Sequence, residues 1–175
     1  LKLSPQSVEW GELKIAISYL YFHKWLLEGN SLKTESDEIS SDSIRINSTL
    51  NEMISNAKGA FEYFDKHYPK ENSHRVYALN IYLYYSVDCL TDDDFEYGNQ
   101  VSLLFNKFLA LRPKIKNWHF RYDDTIARYY HRQTKFLFSD SDRIENLNKA
   151  IEILKQNLIN YSKLDTRDLK ELNAY

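Results

Sequence analysis

Seven basic residues, Arg112, Lys114, Lys116, Arg121, Arg128, Arg132 and Lys135, stand close together in the chain against only Asp123 and Asp124. If this stretch is helical, at about 100° per residue, then Arg121, Arg128, Arg132 and Lys135 share one narrow arc. The apolar stripe Trp118, Tyr122, Ile126, Tyr129 and Phe136 lies about 120° around the same helix. Guanidinium groups in such a row suit carboxylates, phosphates or an acidic peptide, because each presents a planar fork of donors. Tyrosines at repeat-related positions, Tyr19, Tyr21, Tyr84 and Tyr129, are the aromatic candidates beside it, and Tyr and Arg are favoured interface anchors. The plain alternative is a solvated face of an amphipathic helix, with the tyrosines packed between helices.

The other reactive residue types form no site by spacing. Of His23, His67, His74, His119 and His131, none stands at the i,i+4 spacing that metal ligation favours, and Cys89 has no neighbouring ligand. No metal or other cofactor is therefore expected. His74 and His119 each follow an asparagine, Asn72 and Asn117, by two residues, which fits one structural job at two helix starts. Asp92, Asp93, Asp94 and Glu96 can in principle exchange protons or bind a hard cation. The EF-hand pattern is absent, and stabilisation of a helix N-terminus explains the cluster. No Ser/His/Asp arrangement, phosphate-binding loop or GxGxxG is present, and only 4 glycines are available.

These residues sit in a chain punctuated for helices. Ser4-Pro5 reads as a cap and first turn, and Gly29 as the stop of a helix from Pro5 to about Glu28. Residues 30–42 are polar, acidic and Ser-rich, and read as an exposed, mobile loop. A second helix runs from about Ser43 to Tyr68 and closes at Pro69. Asn72 caps a third, from about Ser73 to Leu90. Thr91 caps a fourth, which ends near Leu111 before Pro113. Asn117 caps a fifth, about Trp118 to Phe138, and Ser139 or Asp140 opens a sixth that reaches Ser162. Asp165 or Thr166 starts a short last helix. The Tyr-rich run Ile81 to Val87 has strand composition, but Tyr77, Ile81, Tyr84, Tyr85 and Asp88 fall at helical spacing and decide for helix.

The chain also repeats itself. Phe61, Phe64, Pro69 and Lys70 recur 44 residues on as Phe105, Phe108, Pro113 and Lys114. Asn72, His74, Tyr77, Ile81, Tyr84 and Tyr85 recur 45 residues on as Asn117, His119, Tyr122, Ile126, Tyr129 and Tyr130. Such a period marks units that bury their apolar faces only by stacking on neighbours. In Phe105, Phe108, Leu109 and Pro113, in Phe61, Phe64 and Pro69, and in Ala150, Leu154 and Leu158, the chain resembles a divergent tetratricopeptide (TPR)-like repeat protein. Ile126, Ala127 and Tyr130 resemble that family's first-helix pattern. The period is longer than the family's 34 residues, and Tyr82 stands where a small residue is usual.

The resemblance implies an all-α stack of three antiparallel hairpins, about 5–68, 72–111 and 117–162, with residues 165–175 as a capping helix and 1–175 as one domain. It implies a scaffold or sensor that binds a protein or peptide without catalysis, the first helix of each pair lining the surface. The partner-binding candidates are Arg121, Arg128, Arg132, Lys135, Tyr84 and Tyr129. The runner-up is an enzyme. Arg112 and His119 are spaced as in HEPN ribonucleases, which resemble this chain in being all-helical and use an Arg and a His on RNA.

Composition bounds these readings. The chain is 43% hydrophobic and 15% aromatic, with 14 Tyr, too much aromatic surface for a disordered segment. A net charge of -2 shows no global polyanion-binding character, so nucleic acid is not the expected partner. One cysteine excludes an intrachain disulfide framework and fits a cytoplasmic setting. No apolar run approaches the roughly 18 residues of a membrane span, and no signal peptide opens the chain. Since the only Met is Met53, the chain reads as a fragment of a larger protein.

Overall fold

Pro113 and Thr134 show how this chain ends its helices. Proline has no N–H and its ring obstructs the preceding turn. The computed structural model, which describes residues 7–32, 39–68, 73–89, 95–115, 120–137 and 139–162, accordingly ends one helix at Leu111 and continues as a 3-10 turn, Arg112–Lys114. At Thr134 the hydroxyl bonds the His131 carbonyl at 2.7 Å, and the next backbone N–H groups, Thr134 to Phe136, reach back only three residues. At the opposite kind of terminus, the Ser139 carbonyl accepts the Arg143 N–H at 3.0 Å, and Asp140 and Asp142 occupy a first turn where negative charge is favoured.

Among the described residues the chain is all helical. The elements are α1 (Val8–Leu32), α2 (Ile39–His67), α3 (Ser73–Asp88), α4 (Phe95–Leu111), α5 (Phe120–Gln133) and α6 (Asp140–Ser162). Helices pack against neighbours: α1 on α2, α2 on α3, α3 on α4 and α5, and α5 on α6. Helix α1 also reaches α3, where Phe22 stacks on Tyr85 at 5.1 Å.

Three expectations are corrected. Helix α1 continues through Gly29 to Leu32, and α2 already begins at Ile39, so only residues 33–38 of the expected loop fall outside the described residues. A glycine stop needs a left-handed backbone, and no described glycine has positive φ. Ser40, Ser41 and Asp42 are types that suit a first helical turn. Helix α5 ends at Gln133 rather than near Phe138, for the reason just given at Thr134. Lys135 therefore lies in the turn beyond α5, off the helical strip. The caps expected at Asn72, Thr91 and Asn117, and the last helix over 165–175, lie outside the described residues.

The repeated phenylalanines form the core. Phe61, Phe64, Phe105 and Phe108 are all buried, with Met53, Leu79, Leu83 and Ile126. The Tyr-rich segment is helical and is the most enclosed element: Val76, Ala78, Leu79, Tyr82, Leu83, Tyr85 and Val87 of α3 are buried. Repeat-equivalent residues differ in burial. Tyr85 is buried where Tyr130 is half-buried, and Ile126 is buried where Ile81 is half-buried. Phe22 of α1 stacks on Tyr85, which accounts for the first of these differences.

Two contacts tie α1 to α2, and α2 to α3 and α4. Gly11 lets α1 approach α2 closely; a Cβ there would stand 2.4 Å from the Phe64 ring. Asp65 on α2 accepts from Arg75 Nε at 2.5 Å and from Lys107 Nζ at 3.1 Å, joining α2, α3 and α4. The Arg75 side chain is buried, whereas the Asp65 side chain is 35% exposed. Burial disfavours the Asp65 carboxylate, but hydrogen bonds from Arg75 and Lys107 outweigh this and hold its pKa below the usual value.

Three substitutions test this packing. Gly11→Ala gains about 1 kcal/mol of helix propensity but meets Phe64, and overpacking costs about 1–3 kcal/mol, so urea unfolding should show a net loss. Gly98→Ala on α4, where a Cβ meets nothing within 4 Å, should instead stabilise by about 0.5–1 kcal/mol. Asp65→Asn leaves the buried Arg75 without its anion and should cost about 2 kcal/mol at pH 7, less than a fully buried pair because Asp65 is partly solvated. With a folded pKa below the unfolded one, that contribution is present above about pH 4 and is lost as pH falls through the folded value. The wild-type chain should therefore lose stability on acidification more steeply than Asp65→Asn; parallel pH curves would disprove the assignment.

Candidate functional site

Helices α1, α3 and α5 together carry a cluster of phenols and guanidinium groups. On α3, Tyr77, Tyr84 and Asp88 recur at helical spacing and so share a face. On α5, Arg121 and Arg128 do the same. On α1, Tyr19 and Phe22 lie one turn apart. Phe22 meets Tyr84 edge-on at 6.3 Å and stacks on Tyr85. Tyr19 is 53% exposed, with its ring against His23 at 4.4 Å.

The strongest contact in the cluster centres on Arg128. Its Nη1 donates to Asp88 Oδ1 at 2.6 Å, and its guanidinium lies 4.4 Å over the Tyr84 ring. An ion pair and a cation–π contact share one half-buried group. Burial works against the Arg128 charge, but the Asp88 carboxylate outweighs it and raises the pKa. Arg128 is thus committed to joining α3 and α5. The expected solvated strip is corrected here: a charge that faces a neighbouring helix is not a surface charge. Arg132 is half-buried too and lies near enough to Cys89 to influence its thiol. Arg121 is exposed and acts electrostatically on Tyr77.

Tyr129 is also relocated. It is buried, its ring stacks on Phe105 at 3.7 Å and 14°, and its hydroxyl donates to Ser102 Oγ at 3.0 Å. It belongs to the packing between α4 and α5. Tyr84 is half-buried.

The phenols and the thiol near this cluster are held in their neutral forms. Burial raises the phenols of Tyr77, Tyr84 and Tyr85, and pushes Tyr122 up to about 12. Burial, with Asp88 adding to it, pushes the Cys89 thiol up to about 12, so it is not a thiolate at neutral pH. These groups are hydrogen-bond donors and apolar surface, not bases or nucleophiles.

The remaining candidates divide between structural work and undescribed residues. Arg112 Nη2 pairs with Asp123 Oδ1 at 2.9 Å, tying the 3-10 turn to α5; His119 lies outside the described residues, as does the cluster Asp92, Asp93 and Asp94. His74 stacks on Phe64 at 5.6 Å and lies 3.5 Å from Glu12, a packing role at the start of α3. Among the described residues no group of three or more His, Cys, Asp or Glu is placed to hold a metal ion. Among them, too, no helix is long and apolar enough to cross a membrane.

Reading the sequence missed Asp88, Phe22 and Tyr77. Their signal was the shared helical face of Tyr77, Tyr84 and Asp88, but Arg128 is 40 residues from Asp88 and their meeting is set by packing. Comparison with protein-family models, curated proteins and solved structures found no match.

The two arginines can be separated by stability. Arg128→Ala strands Asp88 and uncovers Tyr84, and should cost about 1–2 kcal/mol for a half-exposed pair. Arg121→Ala should stay within about 0.5 kcal/mol. Equal effects in urea unfolding would return both residues to one solvated strip.

Proposed function

We propose that this chain is a non-catalytic module that binds a protein or peptide segment through the exposed side of α1, α3 and α5. In this reading the six helices are a TPR-like stack of three antiparallel hairpins, α1–α2, α3–α4 and α5–α6, acting as a scaffold or sensor in a larger cytoplasmic protein. The contacts of α3 with both α1 and α5 support it, since a stack brings the first helices of successive pairs side by side. The observation that carries the reading is the composition of that side: Tyr19 exposed, Tyr84 clamped under Arg128, and Arg121 exposed beside Tyr77. Aromatic faces and a cation suit an extended segment bearing carboxylates. The RNA-cleaving alternative through Arg112 and His119 draws no support from Arg112, whose guanidinium is accounted for by Asp123.

Panning random displayed peptides against the immobilised chain tests this. Enriched sequences should carry Asp or Glu. Their affinity should fall at least tenfold in a Tyr19→Ala/Arg121→Glu variant, since each well-made charge-assisted contact contributes about 1.5–3 kcal/mol. It should weaken further as salt screens the pair. The fold should persist, because both side chains are exposed. Peptides that bind the variant as well as the wild type would remove this surface from the proposal.

A further inference from the structure

The last described helix carries a second surface that packing among the described residues leaves open. On α6, Ile144, Leu147, Ile151, Leu154 and Leu158 are between 38% and 70% exposed. Scattered apolar residues on a surface are ordinary, but a contiguous row is not. These five are spaced three, four, three and four apart, the heptad pattern of a helix that faces another helix along its length. Helix α6 meets the rest of the chain elsewhere on its circumference. Ala150 and Asn157 are buried and Ile153 packs on the core, on a face about 110° from the stripe. The stripe is therefore not the side that faces α5.

We infer that this stripe joins two copies of the chain through a parallel pair of α6 helices. Three observations favour a second copy over other occupants. First, the stripe is self-complementary in a specific way: Ile144 and Ile151 fall at the first core position of the heptad and Leu147 and Leu154 at the second. β-Branched residues at the first and leucine at the second favour parallel two-stranded pairing. Second, flanking charges do not oppose it. In the parallel register Arg143 faces Asn148 of the other copy, and Ala150 faces Lys155, so no like charges meet. Lys149 and Lys155 are turned to their own helix, pairing with Glu145 and Glu152. Third, the net charge of -2 puts little long-range repulsion between copies. The helix is already held by α5, so association does not have to nucleate it. With the domain side about 110° from the stripe, a two-fold axis along the pair places the two bodies on opposite sides.

Two heptads bury less than the roughly 1,200–2,000 Å² of a stable interface, so a dissociation constant on the order of 10 µM is expected. Analytical ultracentrifugation of the full chain between about 1 and 200 µM, a range that brackets this constant, should show a monomer–dimer equilibrium. Ile151→Glu/Leu154→Glu should raise the dissociation constant at least tenfold without changing helix content. In a Cys89→Ala background, oxidised Leu154→Cys should give a covalent dimer, because equivalent core positions meet in a parallel pair, while Gln156→Cys should not. A monomer throughout the range would overturn the inference, as would a dimer indifferent to the double substitution. Dimers that never cross-link through Leu154→Cys would overturn the parallel register. Growth beyond dimers would point instead to end-to-end contact with the exposed Leu13 and Leu20 of α1. If the chain is monomeric but a Leu169→Glu/Leu172→Glu variant dimerises, residues 163–175 cover the stripe and the second copy is excluded.

Discussion

The arrangement of this chain depends on enclosing α3, and above all on making the burial of Arg75 tolerable. A guanidinium out of water is costly unless an anion is fixed beside it. Asp65 is that anion, and it also takes Lys107, so one carboxylate sets where α2, α3 and α4 stand along their axes. Lys107 in turn lies 4.6 Å over Phe61, one of the repeated core rings. The apolar faces favour closeness of the helices but are indifferent to a small slide; the ion cluster is not. Once the register of α3 is fixed, Tyr85 is opposite Phe22 on α1, and Tyr84 and Asp88 are opposite Arg128 on α5.

Spacing between helices is met in two different ways. Between α1 and α2 it is met by removing atoms: Gly11 takes the Phe64 ring almost against its backbone, and Ser18 Oγ donates to the Met53 carbonyl at 2.9 Å. Between α4 and α5 it is met by adding rings. Phe105 stacks on Tyr129, and Phe108 meets Tyr122 edge-on at 5.9 Å. Close backbone approach gives many small contacts, while stacked aromatics give large buried areas at greater separation. Both fill space at high density, and both explain a composition with few glycines and many aromatics. Tyrosine in such a seam needs a partner for its hydroxyl, which Ser102 supplies to Tyr129 and the Ser7 carbonyl supplies to Tyr63.

The core and the helices were legible in the sequence because periodicity reports burial directly. The 44-residue echo of Phe61 and Phe64 in Phe105 and Phe108 marked four buried rings, and the spacing of Tyr77, Ile81 and Tyr84 distinguished helix from strand against composition. The candidate site was less legible. Periodicity places Arg128 on a face distinct from Tyr122 and Ile126, but it cannot say that the distinct face meets α3. Tyr129 was read as a surface residue because it repeats Tyr84. Equivalent positions are not equivalent environments: Phe105 and Ser102 of α4 hold Tyr129, while Tyr84 lies under Arg128. The early stop of α5 escaped notice because it rests on one hydroxyl, that of Thr134, competing for a carbonyl.

What packing leaves over defines what the chain can do. Tyr84 is flanked by the Phe22 ring and by the Arg128 guanidinium, which Asp88 itself holds, so the ring is held in place. A surface built on side chains already immobilised by the fold loses less freedom on binding than one built on mobile groups. The phenols of α3 are neutral at physiological pH, and burial moves them further from ionisation. Arg121 differs from Arg128 in being exposed, and this asymmetry assigns their roles. The inner arginine holds Tyr84 and Asp88, and in the proposed reading the outer one is the charge offered to a carboxylate. In the proposed reading, recognition of an acidic segment rests on the contacts that hold α3 against α5.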